Sequence, residues 1–169
     1  MWLLIIELAG NRSAENLSWR PTGAPGRLLG IDLGSRRIGV AVCDELRISV
    51  RPVTVIERRS WKDLLRRISE LVKSYEARAL IVGLPLNLDC TEGPAANNAR
   101  GIVEKFRLSL GIPVYLQDER LTTFEAKSVM IQEGRGERER RDKVDSEAAA
   151  VILRDFIASN AERDKLNHR

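Results

Sequence analysis

The sequence predicts an α/β domain built on a mixed sheet, and three observations carry that reading. Three short β-patterned segments, "RLLGIDLG", "RRIGVAVCD" and "RISVRPVTVIE", follow one another with little more than turns between them. After Ser60 the pattern changes to helices alternating with apolar strands, which implies crossover connections and parallel pairing. A chain of 169 residues is one domain's worth, able to bury roughly 70% of its unfolded surface without staples.

The first three segments, with their Val and Ile content and tight turns, read as an antiparallel meander. "SWKDLLRRISELVKSYEA" places Trp61, Leu64, Leu65, Ile68, Leu71, Val72 and Tyr75 at helical spacing behind Ser60, a candidate N-cap. "ARALIVGLP" is a continuous apolar run ended by Gly83 and Pro85, the pattern of a strand buried on both faces. A second helix carries Ala96, Ala99, Ile102, Val103 and Phe106 on one side, and "GIPVYLQ" is the next strand. Two further helices, "TTFEAKSVMIQE" and "VDSEAAAVILRDFIAS", flank "GRGERERRDK", whose five basic and three acidic residues read as a mobile loop that becomes ordered on a phosphate backbone.

Residues 1–26 read as an appended, partly disordered arm, 27–160 as the folded domain and 161–169 as a tail. The apolar opening "MWLLIIELAG" lacks a basic flank, carries Glu7 and is far shorter than the roughly 20 residues of a membrane span. Lys and Arg number 28 against 24 acidic residues, a net charge of +4 and a mild bias toward polyanions. Cys43 and Cys90 follow no metal or redox spacing, which suits a reduced, cytoplasmic protein. The only histidine is His168, so serine–histidine and cysteine–histidine catalysis and histidine-built zinc sites are all but excluded. Carboxylates are left to carry any chemistry.

Three carboxylates stand out. Asp32 lies at the end of an otherwise apolar strand, where burial of an unpaired charge is costly, and Gly34 behind it permits a tight turn or a close ligand. An Asx turn is the structural alternative. Glu119 follows the carboxyl end of the last strand, where ligands collect in open α/β sheets. By period two, Asp118 and Glu119 point to opposite faces, so one of them reaches the site; a surface ion pair with Arg120 is the alternative. Asp145 shares a helix face with Ala148 and Ala149, small enough for close approach to the sheet, and Asp142 lies one turn earlier. A helix-terminal acid or N-cap explains Asp145 equally well. Three such acids suit a hard cation such as Mg²⁺, or Mn²⁺ in its place, that activates water and stabilises a phosphodiester leaving oxygen.

"GIDLGSRRIGVAV", "IVGLPLN" with "TEGP", "DERLTT" and "KVDSEAAAVIL" together resemble the YqgF family, also called RuvX, Holliday-junction-resolvase-like nucleases linked to pre-16S rRNA maturation. The resemblance runs from about residue 27 to 159 and implies an RNase H-like fold, a five-stranded sheet in the order 3-2-1-4-5 with strand 2 antiparallel. It also implies a Mg²⁺-dependent endonuclease whose catalytic and metal-binding acids fall on Asp32, Glu119 and Asp145. The phosphate-facing set expected beside them is Arg36, Arg37, Asn87, Arg120, Arg135, Arg138, Arg140, Arg141 and Lys143. Asn87 satisfying its own loop is an equal reading. The expected partner is structured RNA or branched DNA, with no membrane, and the chain acts as a monomer or homodimer. Rival readings are a DNA junction resolvase, a non-catalytic nucleic-acid-binding module, and an actin-like ATPase; the last needs two such domains and a second Asp-x-Gly loop, which this chain lacks.

Overall fold

The computed structural model describes residues 26–87, 91–119 and 137–167, with side chains of the last segment described for 142–161. Five strands form one sheet: β1 (Leu28–Leu33), β2 (Arg37–Cys43), β3 (Val50–Glu57), β4 (Ala79–Leu84) and β5 (Val114–Asp118), in the order β3-β2-β1-β4-β5. β2 pairs antiparallel with both β1 and β3, while β1–β4 and β4–β5 are parallel, as the sequence predicts. The edge strand β3 carries Pro52 beside a register shift opposite Val40 and Ala41, which places an imino acid where the ladder is already irregular.

Helix α1 (Trp61–Ser74) begins at Ser60, whose hydroxyl accepts from the Asp63 main-chain N–H at 3.2 Å, and it buries Leu64 and Ile68. Helix α2 (Pro94–Ser109) starts on Pro94, whose missing N–H costs nothing in the first turn, and buries Ala96, Ala99, Ile102, Val103 and Phe106. Both helices cover one face of the sheet, over Leu29, Ile31, Ile38, Val40, Leu80 and Val82, and Trp61 meets Phe106 with ring centres 5.0 Å apart. Among the described residues one helix, α3 (Glu137–Asn167), covers the other face, where Ala149, Ala150, Ile152, Leu153 and Phe156 pack on Leu28, Ala41, Cys43, Ala79 and Ile81.

Two expectations change here. Residues 137–143 of the charged segment are helical, not a loop, and α3 runs on through 161–167, the segment set apart as a tail. No Gly or Pro occurs between 137 and 167, and Glu, Arg and Lys are strong helix formers, so propensity extends the helix beyond its apolar stripe in both directions. Gly83 is an interior residue of β4 rather than its end. The helix expected over "TTFEAKSVMIQE" lies outside the described residues.

Candidate active site

Strand alternation decides which side chains can meet. Leu29 and Ile31 belong to the core under α1 and α2, Leu28 belongs to the core under α3, and Gly30 faces Leu153 of α3. Asp32 continues the second series, so its half-buried side chain lies on the α3 face. Its partner across β2 is Gly39, and because Ile31 pairs with Val82 on β4, Gly83 follows on its other side. A row Gly39–Asp32–Gly83 therefore crosses three adjacent strands on one face.

Both glycines mark space that another group uses. A Cβ at Gly83 would lie 2.1 Å from Glu119 Oε1, so the Glu119 carboxylate occupies the place a side chain on β4 would fill. A Cβ at Gly39 would lie 1.8 Å from the Asp145 carbonyl oxygen, so the α3 backbone crosses β2 at the residue that carries the third acid. The fold thus brings Glu119 and the Asp145 turn to either side of Asp32, from three elements distant in sequence. Asp118 pairs with Leu84 one position earlier than Glu119 and falls on the opposite face, as period two requires. Gly34 lies in a tight turn between β1 and β2. Its N–H donates to the Asp32 main-chain oxygen at 3.2 Å, and a Cβ there would come within 2.4 Å of the Arg37 carbonyl oxygen.

Asp145 lies more than two turns inside α3, so it is neither an N-cap nor an acid positioned for the helix dipole. Its Oδ2 stands 2.8 Å from Arg37 Nε, and Arg37 Nη2 donates to Asp142 Oδ1. Arg37, expected to grip nucleic acid, is thus engaged with two carboxylates of the site itself. Arg36 and Lys143 are exposed. Arg120 and Arg135, with the side chains of Arg138, Arg140 and Arg141, lie outside the described residues. Asn87 serves its own loop: its N–H donates to the Thr91 carbonyl at 3.0 Å and its Nδ2 to Thr91 Oγ1 at 2.8 Å. Nearby, Arg100 clamps Glu92 and holds its carboxyl below the usual range. Gly39 and Gly83 are the positions shaping the candidate site that sequence reasoning missed; a glycine inside an apolar strand, as in "RIGVAV" and "LIVGLP", is the signal for close approach.

The donors are all carboxylate oxygens, the chemistry of a hard divalent cation. The two glycines let the Glu119 carboxylate and the Asp145 turn of α3 come in on either side of Asp32, so the residues that converge there are of the oxygen-donor kind such an ion takes. Among the described residues no three acidic, cysteine or histidine side chains already form an ion cage, Asp145 being held toward Arg37.

The family model described as RuvX, Holliday junction resolvase, matches residues 26–159. The chain belongs to the RuvX family. Curated relatives of this RuvX chain are named as pre-16S rRNA nucleases: one from Anaeromyxobacter sp. (strain K) is 48% identical over 135 residues, covering 80% of this chain and 98% of the relative. Another, from Syntrophus aciditrophicus, is 40% identical over 131 residues, covering 78% and 87%. Among solved structures, T. thermophilus RuvC in complex with a Holliday junction substrate aligns with a TM-score of 0.52 at 16% identity, over 79% of this chain and 95% of that one. That likeness bears on the fold, which is RNase H-like, as the RuvX motifs imply.

Proposed function

We propose that this RuvX chain is a divalent-metal-dependent endonuclease that hydrolyses phosphodiester bonds of structured RNA, acting in the cytoplasm in 5′-end maturation of pre-16S rRNA. The observation that carries the reading is the row Gly39–Asp32–Gly83, with Glu119 seated over one glycine and the Asp145 turn over the other. The names of the relatives support RNA over a DNA junction as the substrate.

Asp32, Glu119 and Asp145 would hold the cation, most simply Mg²⁺, which when bound supplies Lewis-acid stabilisation and an activated water. Asp32 is paired with Gly39 of β2 and directly follows the last β1–β4 pair, Ile31 with Val82, so its carboxylate is carried by sheet backbone rather than by a flexible loop. Glu119 is carried at the carboxyl end of β5, over a strand position without a side chain, so its reach to the row is unobstructed. Asp145 is delivered by a helix whose backbone touches the sheet, which leaves little freedom in its height above the row. Exposed Arg36 on the β1–β2 turn is available to a phosphate group, a sequence-independent contact that steepens the salt dependence of binding. The position of Asn87 in its own loop makes its contribution indirect, through the shape of the segment after β4.

The test is Asp32→Asn, which keeps shape and removes one ligand charge. Cleavage of a pre-16S rRNA fragment with Mg²⁺ is expected to fall by about 10²–10⁴-fold, on the scale of losing a key catalytic group, while affinity is retained. Metal-free melting should not suffer, because a like-charge conflict is relieved. Wild-type cleavage by the variant would remove the nuclease mechanism. A four-way DNA junction run beside the RNA decides substrate: preference for the junction would overturn the RNA reading.

A further inference from the structure

Arg37 opens β2 two residues before Gly39, on the same face, so it lies beneath the turn of α3 that carries Asp142 and Asp145. Its guanidinium donates to Asp142 through Nη2 and stands 2.8 Å from Asp145 Oδ2 through Nε. The second contact is incomplete: Nε is buried, yet its N–H is not aligned with any acceptor as a hydrogen bond. Charge proximity, not a fully formed fork, holds Asp145 there. The side chains of Arg37, Asp142 and Asp145 are 25%, 51% and 34% exposed, so the pairing can be exchanged without opening the core.

Beside the pair lies a hollow of about 230 Å³ lined by Arg37, Arg59, Arg67, Val55, Glu57 and Asp142. Three guanidinium groups border it, and each is matched to an acid: Arg59 to Glu57 at 3.0 Å, Arg67 to Asp63 at 3.1 Å, and Arg37 to the α3 acids. A planar guanidinium binds phosphate in the same forked manner as carboxylate, so a backbone phosphate is a direct competitor for Arg37. A divalent cation is a competitor from the other side, because it and the guanidinium both require Asp145 and repel each other.

We propose that Arg37 is an exchangeable counter-ion, holding Asp142 and Asp145 in the free protein and passing to a phosphate of the substrate, which releases Asp145 to a divalent cation. The proposal rests on the metal-dependent reading given above and adds a coupling: substrate and cation favour each other, and each reports on the other by the same factor. Arg37 is in this sense a positioning residue, acting through Asp145.

The experiment measures Mn²⁺ binding to the full chain by electron paramagnetic resonance, with and without a phosphorothioate RNA stem-loop chosen to slow cleavage. In the free protein, Arg37→Met is expected to bind Mn²⁺ about tenfold more tightly than wild type, within the roughly 5–150-fold span of such couplings. The stem-loop should tighten Mn²⁺ binding of the wild type by a similar factor and leave Arg37→Met nearly unchanged. Arg37→Lys, which keeps the charge and loses the fork, should lie between. An Mn²⁺ affinity in Arg37→Met equal to or weaker than wild type overturns the exchange while leaving the metal site standing. If the wild type binds no Mn²⁺ with or without RNA, the metal reading fails and the exchange fails with it. Should Arg37→Met lose its cooperative melt, Arg37→Lys decides by the same comparison, equality with wild type overturning the proposal.

Discussion

Gly83→Ala separates the geometry of the site from the stability of the fold. The new Cβ would lie 2.1 Å from Glu119 Oε1 and 2.7 Å from Ile152 Cδ1, where ordinary contact begins at 3.4 Å. The carboxylate oxygen must therefore retreat by 1.3 Å and the methyl by 0.7 Å (3.4 less 2.1 and 3.4 less 2.7). Both are far ends of flexible side chains, so the cost to folding should stay within the ~1–3 kcal/mol of ordinary overpacking. Catalysis is less forgiving: a displacement of about 1 Å can cost ~10²-fold in rate, or ~2.7 kcal/mol of barrier. The expected result is a large fall in Mg²⁺-dependent RNA cleavage with near-normal RNA affinity, checked by single-turnover kinetics, a binding titration and a thermal melt. Wild-type cleavage by a folded Gly83→Ala would refute the reasoning, because the Glu119 carboxylate would then not be needed where the structure holds it.

Gly39→Ala should behave in the opposite way. Its Cβ meets the Asp145 carbonyl oxygen at 1.8 Å, a backbone atom of a helix that cannot swing aside, so the helix must lift. A loss of at least ~3 kcal/mol is expected in chemical denaturation, above the usual range for a single core overpacking. Asp155→Asn should stabilise the protein near neutral pH. Burial pushes the Asp155 carboxyl up, and its Oδ2 is buried without a hydrogen-bond partner. A raised folded-state pKa means the folding cost is present above that value and vanishes below the ordinary aspartate pKa of ~4. The variant's advantage in melting temperature should therefore shrink toward pH 4, and at neutral pH it should stay below the ~1–3 kcal/mol of a fully buried orphan group.

Much of the architecture was legible in the residues because the signals were local. Ser60 and the spacing from Trp61 to Ile68 carry α1, and the run from Ala79 to Leu84 carries a strand buried on both faces. Strand order came from the motif resemblance; period two put Asp118 and Glu119 on opposite faces, and the resemblance assigned the acid to Glu119. The start of α3 was not legible, since "ERERRDK" has helix propensity but no apolar stripe to give a period. Arg37 was read as a phosphate ligand because sequence shows its charge but not the two acids that α3 lays across it. Gly39 and Gly83 were passed over for a related reason: the role of an absent side chain depends on which atom arrives from elsewhere, and that is a long-range fact.

Among the described residues one sheet face is covered by the C-terminal helix α3, and this bears on the order of events during synthesis. Strands β1 to β5 leave the ribosome before α3, and until that helix docks, Leu28, Ala41, Cys43, Ala79 and Ile81 have nothing from it to shield them. The same helix brings Asp145, so the nascent chain exposes that apolar face and lacks the third acid of the candidate site over the same interval. A ribosome-stalled chain ending before residue 137 should accordingly engage chaperones and, on the proposed role of Asp145, should leave RNA uncut.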